Sequence, residues 1–83
     1  MRNLEFEPRA FEDLTWWIRQ NRKTALRIMR LIDNIQQMPF EGLGKPEPLK
    51  HELSGLWSRR IDREHRLVYE VSEDKIRILA CRY

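Results

Sequence analysis

An α+β fold is predicted by three features of this sequence: a short alternating run near the N-terminus, two amphipathic helical stripes before Pro39, and three alternating runs after Gly55. The 83 residues support one domain, spanning 1–83. A domain of this size buries only about 60–65% of the surface its unfolded chain exposes, so its core must be compact.

Leu4 and Phe6 alternate with Asn3 and Glu5, which predicts a short strand with one buried face. Pro8 follows where a first helical residue belongs, since its missing N–H costs nothing there. Ala10, Phe11, Leu14, Trp17 and Ile18 then form one apolar stripe, with Arg9, Glu12, Asp13 and Arg19 on the far side. Gln20-Asn21-Arg22 interrupts it. A second stripe runs through Ala25, Ile28, Met29, Ile32 and Ile35 until Pro39 stops the helix. So short a break predicts a helical hairpin.

The stretch from Pro39 to Pro48 holds three prolines and two glycines, which excludes a helix or a central strand. Glu47 lies between two of those prolines, so its backbone is stiff. Two readings stay open: a carboxylate held for chemistry, or a surface residue in a rigid spacer. After the Ser54-Gly55 turn, Trp57, Arg59 and Ile61 share one strand face while Ser58 and Arg60 take the other. Leu67, Tyr69 and Val71 oppose Arg66, Val68 and Glu70, and Ile76, Ile78 and Ala80 oppose Arg77, Leu79, Cys81 and Tyr83. Turns this short predict a three-stranded antiparallel meander, with both helices on one face of the sheet and the other face open.

Composition narrows the function classes. A single cysteine, Cys81, excludes an intrachain disulfide and fits a reducing, cytoplasmic setting. The longest apolar stretch is a few residues, which gives no support to membrane insertion or secretion. Sixteen Lys and Arg against 13 Asp and Glu leave a net charge of +3, compatible with nucleic acid but not decisive. The cation type says more. Between Lys50 and Arg66 the basic residues are Lys50, Arg59, Arg60, Arg63 and Arg66, and the arginine fork suits phosphate oxygens.

Three chemistries compete. A zinc site would need more than His51, Glu52 and His65 at unrelated spacings, so no metal or other cofactor is expected. Cys81, on an apolar strand, reads better as a packed thiol than as a nucleophile. The third is RNA cleavage, in which the ribose 2′-hydroxyl is the nucleophile and the enzyme supplies a base and cations. Glu47 is the candidate base, with Lys50, Arg59, Arg60, Arg63 and Arg66 on or beside the open sheet face. A non-catalytic module that presents arginines to RNA or to an acidic peptide is the alternative. A DNA-binding regulator is disfavoured, because both helices spend their apolar faces on the sheet.

The strings Pro39-Phe40-Glu41-Gly42, Gly44-Lys45-Pro46-Glu47-Pro48-Leu49-Lys50-His51, Leu53-Ser54-Gly55, Trp57-Ser58-Arg59-Arg60-Ile61, Glu64-His65-Arg66-Leu67-Val68-Tyr69 and Ala80-Cys81-Arg82-Tyr83 resemble the YoeB (Txe) toxins of the RelE superfamily. The resemblance runs through the second half almost without gaps; the first half agrees in element order. It implies a RelE-like microbial RNase fold and a type II toxin–antitoxin module. Its members act as ribosome-dependent mRNA endonucleases in the 30S A site and are neutralised by a YefM-like antitoxin. The resemblance places the general base on Glu47, the phosphate-stabilising arginine on Arg66, and RNA-binding positions on Lys50, Arg60 and Arg59. His51 and His65 lie in matching strings without an assigned step. Homodimerisation is a further expectation. The family motif continues Cys-Arg-Tyr-His-Tyr, with the histidine as general acid, whereas this sequence ends at Tyr83. The expectation is a chain that binds its targets and cuts poorly, which appending His-Tyr would test.

Overall fold

The computed structural model describes all residues, Met1–Tyr83. Strand β1 (Asn3–Phe6) leads into helix α1 (Pro8–Gln20), and helix α2 (Arg22–Gln37) follows after one residue. Asn21 makes that break possible: its side chain accepts the Thr24 N–H and caps α2. Strand β2 (Glu47–Pro48), a 3₁₀ turn (His51–Leu53), β3 (Leu56–Arg60), β4 (Arg66–Val71) and β5 (Lys75–Ala80) complete the chain. No helix is long and apolar enough to cross a membrane.

The five strands form one sheet in the order β1-β5-β4-β3-β2. The expected meander β3-β4-β5 is present and antiparallel, with two additions. β1 pairs parallel to β5, Leu4 opposite Ile76 and Phe6 opposite Ile78. On the far edge Glu47 and Pro48 pair with Ser58 and Trp57. The proline-rich segment is therefore a loop that ends in a two-residue edge strand, a position a residue without an N–H tolerates.

The core joins Ala10 and Trp17 of α1, Ala25, Ile28, Leu31, Ile32 and Ile35 of α2, and Leu67, Tyr69, Ile76 and Ile78 of the sheet. Both helical stripes differ from the expected ones. Phe11 and Ile18 are exposed, as is Met29, while Asp13 and Leu31 are buried. The apolar residues span more of each helix circumference than one sheet face can cover, and docking selects the half that is used.

Two local features redirect side chains. Val68 pairs with Ala80 but Tyr69 pairs with Ile78, so Leu79 is an extra residue that bulges from β5. The bulge inverts the expected facing beyond it. Cys81 joins the core, while Leu79 and Ala80 line a hollow of about 160 Å³ on the other sheet face with Leu49, Leu53, Leu56 and Val68. The face opposite the helices is thus partly covered by the 49–56 segment.

The second feature is Arg59. Placed among RNA-binding residues by sequence, it is 0% exposed and lies under the 38–43 loop. Its Nε donates to Tyr69 Oη (3.1 Å), Nη1 to Asn34 Oδ1 (2.6 Å) and Leu43 O (2.9 Å), and Nη2 to Met38 O (2.6 Å) and Glu41 O (3.0 Å). Tyr69 Oη in turn donates to Pro39 O at 2.7 Å. A guanidinium with every donor spent and no exposed surface has nothing left for phosphate. Its position on the Trp57 face, which the helices cover, is the reason. Gly42 completes the loop at φ 113°, and a Cβ there would run into the Asn34 carboxamide.

Candidate active site

Glu47 reaches the site through the sheet edge. Its strand neighbour is Ser58, Ser58 is opposite Val68, and Val68 is opposite Ala80, so the four form one row across the helix-free face. Arg60 and Arg66 oppose each other in the adjacent row. Alternation along the strands puts both arginines on the side of Glu47. Arg66 Nη1 lies 3.6 Å from Glu47 Oε1, with the two side chains 36% and 63% exposed. That is ion-pair distance but longer than a hydrogen bond.

The segment that carries Glu47 is anchored on both sides. Upstream, Arg60 N donates to Gly44 O at 2.7 Å. Downstream, Leu49 N donates to Leu56 O at 2.8 Å. Lys45 and His51 bracket it with φ of 51° and 59°, a conformation that costs non-glycine residues energy and persists where surroundings impose it.

The other cations of the sheet and its turns separate into two groups. Lys50 and Arg60 are exposed and pair with no carboxylate. Arg77, by contrast, is spent on ion pairs with Glu5, Glu7 and Glu70, and the hydrogen bond and charge of Glu7 foremost, then those of Glu70, raise its pKa further above the ordinary guanidinium value. Arg63 is exposed in the turn between β3 and β4.

Neither histidine joins Glu47 and Arg66. His65 stacks edge-on against Trp17 at 5.0 Å, on the helix side of the sheet, and its Nδ1 meets Asp62 at 3.1 Å. Slight burial works against ionisation of Asp62, but the Glu64 and His65 N–H groups and the His65 ring outweigh it and hold its carboxyl below the usual carboxylate value. His51 occupies the 3₁₀ turn. No three His, Cys, Asp or Glu side chains gather into a metal-holding group.

Cys81 is a packed thiol. Its N–H donates to Asp13 Oδ2 (3.0 Å), its carbonyl accepts from Trp17 Nε1 (2.7 Å), and its Sγ meets Ala10 O at 3.5 Å. Burial first, then the Asp13 charge, push its pKa up to about 12, the opposite of what a nucleophile needs. Sequence reasoning placed Asp13 outward and did not single out Asn34 or Ser58. Only the i, i+3, i+4 relation of Asp13 to Ala10 and Trp17 hinted at its inward position.

The chain matches a family model described as YoeB-like toxin of bacterial type II toxin-antitoxin system over residues 6–83. It is similar to Toxin YoeB of Mycobacterium bovis, 58% identical over 83 residues that cover 100% of this chain and 98% of that protein. Among solved structures it is similar to the YoeB dimer from Staphylococcus aureus, with TM-score 0.92, 43% identity and coverage of 99% and 95% of the two chains. A YoeB-YefM complex from the same organism gives TM-score 0.90 and 44% identity over 100% of this chain and 97% of that one.

Proposed function

This chain belongs to the YoeB-like toxin family of bacterial type II toxin–antitoxin systems, and from that premise we propose that it is a metal-independent mRNA endonuclease that acts on the ribosome. The observation that carries the reading is the approach of Glu47 to Arg66 across β3.

Glu47 takes the proton of a ribose 2′-hydroxyl, whose oxygen attacks the adjacent phosphorus. A 2′-O–P bond forms, the P–O5′ bond breaks, and the 5′-oxygen takes up a proton from the water that reaches this face. Negative charge gathers on the phosphoryl oxygens during the attack, and Arg66 is placed to bind it. In the free protein Arg66 is committed only to an exposed ion pair, worth about 0–1 kcal/mol. A phosphate can therefore claim its fork at small cost, leaving Glu47 free to act as base. Lys50 and Arg60, exposed and unpaired, hold flanking backbone phosphates.

The ribosome supplies the mRNA in the 30S A site, and a YefM-like antitoxin blocks the toxin; the YoeB-YefM complex of the S. aureus relative supports the second of these. The YoeB dimer of that organism likewise supports homodimerisation. Expression without a partner in a bacterial host tests the whole reading. Growth arrest with mRNAs cut at codon positions is expected, and arrest without cleaved mRNA would favour a non-catalytic binding module instead.

A further inference from the structure

We infer that Ser58 is a positioning residue for Glu47: in the substrate-bound state its hydroxyl donates to the Glu47 carboxylate oxygen that does not receive the ribose proton. This rests on the reading of Glu47 as base. Ser58 is 1% exposed, and its Oγ is the one buried side-chain nitrogen or oxygen that lacks a hydrogen-bond partner. Buried hydroxyls are nearly always bonded, because leaving one unpaired costs stability. An orphan directly opposite the base needs a reason, and the register supplies one.

Glu47 and Ser58 are facing residues of an antiparallel pair. Their Cβ atoms are then about 4.5–5.5 Å apart, a span that the glutamate side chain covers when it folds back over β3. In the free protein its carboxylate turns instead to Arg66. The cations beside Glu47 on this face are Arg66 from β4, Arg60 from β3 and Lys50 from the segment of Glu47 itself, while Glu70 and Arg77, in the row of Leu56, pair with each other. Once phosphate draws Arg66 and flanking phosphates draw Arg60 and Lys50, Glu47 loses its cationic partner. The Ser58 hydroxyl is the unspent donor on the strand beside it. A donor on one carboxylate oxygen aims the other at the ribose and limits rotation of the side chain.

The test compares wild type, S58A, S58T and E47A in cleavage of mRNA on purified programmed ribosomes, with kcat and KM separated, alongside thermal unfolding. S58A is expected to lose about tenfold or more in kcat at unchanged KM, the loss of one charge-assisted hydrogen bond. Its Tm should stay the same or rise, because the deleted hydroxyl is unsatisfied in the free protein. S58T, which keeps the hydroxyl, should restore most of kcat. S58A with wild-type kcat, a kcat loss accompanied by a lowered Tm, or failure of S58T to restore activity would overturn the role of Ser58 while E47A stays inactive. E47A that cuts as fast as wild type would overturn the base assignment and this inference with it.

Discussion

Arg66 on β4 and Glu47 on β2 meet at 3.6 Å across the full width of β3. Neither strand touches the other, so the meeting depends on both long side chains leaning over the strand between them. Below that strand the helices pack; above it lie Ser58 and Arg60.

If this pair performs the chemistry, E47A and R66A should each lower ribosome-dependent cleavage by about 10²–10³-fold or more. Antitoxin binding should be largely retained. R66K should recover little, since a point charge does not replace a planar fork on phosphate. Primer-extension mapping of cut mRNA measures all three, and fully active E47A and R66A chains would refute the assignment.

Arg59 is expected to fail as a folding residue. In R59L the carbonyls of Met38, Glu41 and Leu43 lose the Arg59 donor together, Tyr69 Oη loses its Nε–H donor, and Asn34 Oδ1 keeps only the Leu43 N–H. A loss of about 3–5 kcal/mol is expected in urea unfolding. A folded R59L chain of normal stability but weakened RNA binding would return Arg59 to the RNA surface.

Cys81 should resist alkylation in the native protein. With a pKa pushed up to about 12, its thiolate fraction at pH 8 is about 10⁻⁴. Iodoacetamide at pH 8 should label it only after unfolding. Replacing Asp13 by Ala removes the acceptor of the Cys81 N–H and part of the charge that raises the thiol, so labelling should accelerate. Equal labelling of native and unfolded wild-type protein would contradict the packed-thiol reading.

The Asp62 turn sets an acid limit. Its folded pKa is depressed, so the folded state binds fewer protons than the unfolded chain near the unfolded value of about 3.9. The stabilisation it contributes is present above that value and is lost as pH falls through the lower folded pKa. Urea midpoints measured from pH 6 to pH 2 should fall more steeply for wild type than for D62N. Parallel curves would show that Asp62 contributes nothing.

The backbone setting of Glu47 and the facing of Arg66 were legible because those signals are local, while their proposed roles came from the resemblance. Prolines on both sides of Glu47 announce a stiff backbone whatever they pack against, and alternation from Arg66 to Val71 assigns Arg66 to the face opposite Leu67 and Tyr69. Arg59 misled for a different reason. Its face was read correctly as that of Trp57 and Ile61, yet a buried arginine is rare, and composition favours exposure. Nothing nearby in sequence reveals that three loop carbonyls, Asn34 and Tyr69 would enclose it.

Element order and the helix-covered sheet were determined by periodicity, proline placement and strand alternation, properties that reach only a few residues along the chain, whereas the choice of Glu47 and Arg66 came from the resemblance of the strings around them. The parallel docking of β1 on β5, the Leu79 bulge that turns Cys81 inward, the burial of Asp13 and the empty hydroxyl of Ser58 were decided by tertiary packing. Each depends on which distant backbone group arrives opposite a given residue, and that is settled when helices and strands compete for the same interior space.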